Sequence, residues 1–326
     1  MIIHSLSGKN NLMLDLTNGA MSIEKDGITE ESSISKGRPV LNKYTLVSIK
    51  NTGISNRIKN IVSCFRIIDR LKDLGHTNTN DFKISWSEKW GKMDSDEPWR
   101  PPAKFSSLFA NKNMETDKIS AKALKKGSAI KLGYIPYSTW RLIIFKDDNI
   151  PIGFSQNVCN FSPNGQSIDF EYERIPKEIK TEYIKLFKRL ILADGIKNRV
   201  DSFAKNNFNK NTVSVHIRAW CDPLGVRGIN KGIVKFNLND FISAMKKEDD
   251  SKNFFIASDS DDVIDKIKRE FGKRIICRDI SSKSTEDDLM DLYLLSKNDK
   301  IIGTEHSTFT EVAWWLSECS ADIYIV

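Results

Sequence analysis

Apolar positions change their period several times along this chain, and the changes mark out its elements. Tyr44 to Ile49 combines β-branched and apolar residues and predicts a strand, which runs into Lys50-Asn51-Thr52-Gly53-Ile54-Ser55-Asn56-Arg57. Ile58, Ile61, Val62, Phe65, Ile68, Leu71 and Leu74 then recur at spacings of three and four, the mark of an amphipathic helix, which should stop at Gly75. Strand, glycine-containing loop and helix together have the outline of a nucleotide-binding βα unit. A short strand is expected at Phe82 to Trp86. Beyond it, Ser87 to Gln166 carries turn-like prolines and tryptophans, with one good strand, Trp140 to Phe145. Pro176 to Leu192 reads as a helix with Ile179, Tyr183, Leu186, Phe187, Leu190 and Ile191 on one stripe, ended by Gly195.

From Asn211 the pattern becomes regular. Strands are predicted at Val213–Ile217, Asn253–Ala257, Arg274–Cys277, Lys300–Ile302 and Ile323–Val326, separated by helices at Leu238–Lys247, Ser260–Phe271, Thr285–Lys297 and Ser307–Glu318. Such alternation at short spacing means an α/β fold with a parallel sheet and helices on both faces. Residues 1–42, polar and weakly periodic, read as an irregular extension.

Composition narrows the classes. With 40% hydrophobic and 29% charged residues over 326 positions, the chain has the makeup of a soluble globular protein with room for two cores. No apolar run approaches the roughly 18 residues of a membrane span, and Met1 to Lys25 lacks the layout of a signal peptide, so a cytoplasmic location is expected. Cys64, Cys159, Cys221, Cys277 and Cys319 form no C-x-x-C pair, which fits reduced thiols rather than a metal site. The net charge of +7 is uneven: from Asn211 onward 16 basic residues face 20 acidic ones, leaving 34 against 23 in the rest. Those lysines are dispersed among acids and asparagines, without the arginine-rich helix or aromatic-interleaved ribbon of a nucleic-acid binder. An anionic ligand is the better use of the charge.

Three stretches carry chemistry. Thr212 to Arg218, T-V-S-V-H-I-R, is a strand that Pro223, Gly225 and Gly228 say must stop abruptly, delivering His216 and Arg218 to its carboxyl end. Ligands of open α/β sheets bind there, and a guanidinium fork suits phosphate oxygens. Ser258-Asp259-Ser260-Asp261-Asp262 follows a buried strand and has two functional readings: an Asp-x-Asp metal site for a nucleotide diphosphate, or Asp259 alone facing a ligand while the rest starts a helix. Gly303-Thr304-Glu305-His306-Ser307-Thr308-Phe309 opens a helix whose amides and hydroxyls could hold an anion, or simply cap it. No G-x-S-x-G elbow supports a hydrolase.

Taken in order, V-H-I-R, F-I-A-S-D-S and I-G-T-E-H-S-T-F-T-E-V-A resemble the three blocks of the fucosyltransferase superfamily that holds the α-1,6- and protein O-fucosyltransferases. Gly53-Ile54-Ser55-Asn56-Arg57 is similar to the glycine-rich loop that opens its amino-terminal domain. The resemblance spans 211–326 and about 30 residues of the first half. It implies a GT-B fold of two Rossmann-like domains, here 43–195 on the acceptor side and 196–326 holding the sugar nucleotide, with inverting transfer from GDP-fucose and neither metal nor further cofactor. Carried over by position, Arg218 would bind the β-phosphate and His216 would orient the nucleotide. Asp259 would sit beside it, Thr304, Ser307, Thr308 and Phe309 would line the phosphate and base pocket, and Gly53, Asn56 and Arg57 would face the donor from the other domain. Asp222 and Glu305 are the candidate bases. Departures are Ala219 and Trp220 where many relatives place a second arginine, Ser55 in place of a glycine, and His306 where serine is common. The expected activity is fucosyl transfer to a saccharide acceptor, with no nucleic-acid partner. The alternatives are a metal-dependent transferase using another sugar nucleotide, and a GDP-binding protein without transfer activity.

Overall fold

The computed structural model describes residues 2–7, 10–15, 21–25, 28–32, 45–48, 53–73, 75, 82–86, 103–116, 129–132, 177–219, 237–279, 284–304 and 307–326. Strands β1 (Ile2–Ser7), β2 (Asn10–Asp15), β3 (Met21–Lys25) and β4 (Ile28–Ser32) form an antiparallel meander in sequence order. This corrects the reading of the first 42 residues as irregular. Asp26-Gly27 between β3 and β4 is a two-residue hairpin signal, and register pins Lys25 to Ile28 across it.

Next comes a parallel trio: β5 (Thr45–Ser48) is flanked by β6 (Phe82–Ile84) and β7 (Ala129–Leu132). Helix α1 (Ile54–Asp73) crosses from β5 to β6, and Gly75, at φ 74°, takes the left-handed conformation that lets the chain leave it. Strand β7 had no counterpart in the sequence reading, and the strand expected at Trp140–Phe145 lies outside the described residues. A one-turn helix, α2 (Phe105–Leu108), seats Phe105 and Phe109 around Trp86, with ring centroids 5.3 and 6.3 Å away. The helix expected at Pro176–Leu192 ends earlier, as α3 (Lys177–Phe187), and a second helix, α4 (Asp194–Asn207), opens at Asp194-Gly195, where a stop is expected. Ile196, Val200 and Phe203 give α4 its own apolar stripe, so Gly195 opens a helix instead of closing one.

The carboxyl-terminal part is a five-stranded, wholly parallel sheet. In chain order it runs β8 (Thr212–Ile217), α5 (Leu238–Lys246), β9 (Asn253–Ser258), α6 (Asp261–Phe271), β10 (Ile275–Ile276), α7 (Thr285–Leu295), β11 (Lys300–Gly303), α8 (Thr308–Leu316) and β12 (Asp322–Ile325). Across the sheet the order is β10-β9-β8-β11-β12. The first strand in sequence therefore lies in the middle, and succession reverses between β8 and β11. In open α/β sheets such a reversal is where a ligand crevice forms, at the carboxyl ends of the two strands.

Strand β8 is buried along its whole length. Its alternation does not mean one wet face. Val213, Val215 and Ile217 pack with α5 and α6 residues such as Phe241, Met245, Val263 and Ile267. Its polar residues are buried too, each with a partner: Thr212 Oγ1 accepts from Asn209 N at 3.0 Å, and Ser214 Oγ donates to Leu295 O at 2.8 Å and accepts from Asn298 Nδ2 at 2.9 Å. Buried hydroxyls without such bonds would each cost about 1–3 kcal/mol.

Helix α8 joins the two parallel sheets. It touches α1, α3 and α7, and its fully buried Trp315 lies 5.4 Å from the Tyr183 ring and 6.0 Å from the Phe187 ring. One cluster of buried side chains runs from Ile54 of α1 to Trp315 of α8.

Candidate functional site

At the reversal between β8 and β11, four hydrogen bonds replace the parallel ladder where it runs out. Thr304 Oγ1 donates to His216 O and accepts from Arg218 N, both at 2.8 Å, so one hydroxyl bridges the end of β11 to the end of β8. Asp259, just past β9, does the same from the other side. Its Oδ1 accepts from Ala219 N at 2.7 Å, and its Oδ2 accepts from Arg218 Nη1 at 2.5 Å. The Arg218 side chain is 24% exposed, so it is both held and reachable. A guanidinium carries five N–H donors in a rigid fork suited to oxyanions.

Ser260 caps α6, accepting from Val263 N, and Asp261 and Asp262 occupy the first helical turn, where carboxylates favour the positive end of the helix dipole. Asp259 is engaged with the end of β8, while Ser260, Asp261 and Asp262 start the helix. Among the described residues, no group of three His, Cys, Asp or Glu side chains is arranged to hold a metal.

His216 is buried and neutral. Burial, and then the charge of Arg218, push its imidazole down to about 3. The ring stacks on Phe309, with centroids 4.8 Å apart and planes 21° from parallel. Its Nδ1 lies 2.8 Å from Thr310 Oγ1. Ser307 is the N-cap of α8, accepting from Phe309 N, and Thr308 is half-buried at the first helical position.

The structure thus brings together His216, Arg218, Asp259, Thr304 and Phe309, with Ser307 and Thr308 at the adjoining helix start. Asp222 and Glu305, the two candidate bases, lie outside the described residues, as do Trp220, Cys221 and His306. Ala219 is 5% exposed, so the position after Arg218 belongs to the core and presents no second charge.

Gly53, Asn56 and Arg57 sit at the start of α1, at the carboxyl end of β5. Gly53 O accepts from Arg57 N at 3.0 Å. Arg57 is 4% exposed, its guanidinium stacked 5.0 Å over the Trp86 ring, so it packs within the amino-terminal core. Asn56 Oδ1 is buried and makes no hydrogen bond among the described residues.

Three features escaped the sequence reading. Thr310 is fully buried on an otherwise apolar helix face, and a hydroxyl in the run T-F-T-E-V-A-W-W was the available signal, because it needs a partner there. Lys59 and Glu311, on α1 and α8, form a buried ion pair at 2.5 Å. Asp288, in the first turn of α7, is solvent-exposed; the surrounding protein and then the neighbouring Asp291 raise its carboxyl, Arg218 pulls it back, and the exposure keeps the net rise small. Asp291 is pushed up to about 6 by burial, against the pull of Arg278, whose Nε donates to it at 2.6 Å.

No family model and no curated protein matches the chain. Among solved structures it is similar to NodZ alpha-1,6-fucosyltransferase co-crystallised with GDP, at 15% identity and a TM-score of 0.45 over 83% of this chain and 92% of that one. Fucosyltransferase NodZ from Bradyrhizobium gives the same values. POFUT1 in complex with GDP-fucose is similar at 13% identity and a TM-score of 0.45, over 89% of this chain and 98% of that one.

Proposed function

We propose that the chain is a glycosyltransferase that moves fucose from GDP-fucose to a saccharide acceptor, with the nucleotide at the β8–β11 crevice. The observation that carries this reading is Arg218: a partly exposed guanidinium at the carboxyl end of the central strand, clamped by Asp259 and the Thr304 bridge at the sheet's reversal point. The order of the three sequence blocks supplies the donor. GT-B organisation with domains 43–195 and 196–326 belongs to the same proposal.

In the reaction, an acceptor hydroxyl oxygen attacks the anomeric carbon from the face opposite the diphosphate. The bond from that carbon to the β-phosphate oxygen breaks with its electron pair on GDP, inverting the centre. Arg218 stabilises the charge that grows on the leaving diphosphate, and its preset fork needs little reorganisation. The α8 start, with Ser307 capping and Thr308 beside it, aims a positive helix end at the same region. The acceptor proton must go to a base. Asp222 and Glu305 are the sequence-derived candidates.

A thermal-shift panel tests the reading. GDP and GDP-fucose should stabilise the protein, by about 2.7 kcal/mol at a hundred times the dissociation constant, and UDP should not. Equal stabilisation by UDP, or none by GDP, would sink it. Activity retained in excess EDTA would exclude the metal-dependent alternative.

A further inference from the structure

The hydrogen bonds around Thr310 fix the His216 ring. Thr310 is fully buried, and its hydroxyl has two neighbours among the described residues: the backbone N of Thr304 at 3.3 Å and Nδ1 of His216 at 2.8 Å. An amide can only donate, so Thr304 N–H gives its hydrogen to Thr310 Oγ1. The hydroxyl hydrogen must then go to His216 Nδ1. If Nδ1 carried the hydrogen instead, Thr310 would keep a buried O–H with no acceptor among the described residues, which is costly. Nδ1 is therefore the acceptor, and the neutral ring bears its hydrogen on Nε2.

The packing is built for this contact. One step beyond the Ile302–Val215 register, Gly303 lies beside His216 on β11, and Ala257 faces it on β9. A Cβ on Gly303 would overlap the Thr310 side chain, so glycine there lets the helix bring the hydroxyl down to the ring. Phe309 holds the ring plane from the same helix.

We infer that Thr310 is a positioning residue that locks His216 as the Nε2–H tautomer, so that the crevice offers a hydrogen-bond donor to an acceptor atom of the bound nucleotide. The lock is a property of the free protein. Its use on a nucleotide rests on the reading given under Proposed function.

The test is nitrogen NMR of protein labelled at its four histidines, with the His216 signals identified by their loss in His216→Gln. The wild type should show a neutral ring protonated on Nε2 at pH 7. A ring protonated on Nδ1, or an imidazolium, overturns the inference whatever the protein binds. Thr310→Val keeps the shape and removes the hydroxyl. It should release the tautomer preference and weaken GDP binding by roughly tenfold, with Thr310→Ser returning both to within about twofold of wild type. Weakened binding with an unchanged ring spectrum, or no rescue by serine, also overturns it. Should the wild type bind no GDP at all, the proposed function fails while the spectrum still decides the lock.

Discussion

Two ion pairs of equal length, 2.5 Å, sit in opposite circumstances. Lys59–Glu311 joins α1 to α8 with side chains only 8% and 5% exposed, whereas Arg218–Asp259 closes the end of β8 with side chains 24% and 19% exposed. The first lies inside the cluster that unites the two parallel sheets, with Glu311 Oε1 also accepting from Trp315 Nε1 at 3.3 Å. The second lies where the sheet reverses and the ladder ends. A buried pair, once formed, is expensive to break because the survivor is stranded in low dielectric; a half-open pair can yield part of its fork to an incoming anion. The same chemistry serves cohesion in one region and, under the proposed function, ligand handling in the other.

Breaking each pair separates the two roles. The largest effect is expected for Lys59→Met, which strands Glu311 and should cost about 3–5 kcal/mol in denaturant unfolding, while Lys59→Met with Glu311→Leu should recover most of it. A double variant no more stable than the single one would show that the pair does not act as a unit. Arg218→Ala should lower the transfer rate by about 10²–10³-fold while changing stability by less than about 1 kcal/mol, because solvent already screens that pair. Rates within a few-fold of wild type would remove Arg218 from the mechanism.

The crevice also predicts a pH dependence. The folded-state pKa of His216 is depressed to about 3 from 6.5, so its contribution is complete above pH 6.5 and is lost as pH falls toward 3. Asp291, raised to about 6 by burial, acts with the opposite sign, since the folded protein takes up its proton first on acidification. Net stability thus mixes the two, and the informative quantity is the difference between wild type and His216→Gln. It should shift against the wild type by about 2 kcal/mol between pH 6 and pH 4.5. A constant difference would mean that His216 titrates normally. Smaller still, about 1 kcal/mol, is the loss expected in thermal unfolding for Ser284→Ala, which removes the reciprocal cap between Ser284 and Asp287 at the start of α7.

Local pattern decided much of this protein. The β8 strand, the helices at Asp261 and Thr308, and the α1 periodicity were legible because a repeat of two or 3.6 residues and a capping hydroxyl act within a few positions of each other. The order of His216–Arg218, Asp259 and the Gly303 loop along the chain was enough to place all three at carboxyl strand ends. The β1–β4 meander is hidden by its polar composition, which masks the turn chemistry between its strands, and α4 is hidden by the glycine that opens it.

What the sequence could not decide was who meets whom. The stretch T-V-S-V-H-I states that His216 and Ile217 point to opposite faces, yet not that both faces are covered. Nor does it say that Thr310, 94 residues on, hands its hydroxyl to that ring. The strand order β10-β9-β8-β11-β12 made those contacts by bringing β11 alongside β8, and α8 after it, across the helix-covered face. Pairing Lys59 with Glu311 across 252 positions is a decision of the same kind. Periodicity is set by neighbours along the chain, while buried polar partnership is set by which elements the sheet order and the shared apolar core press together.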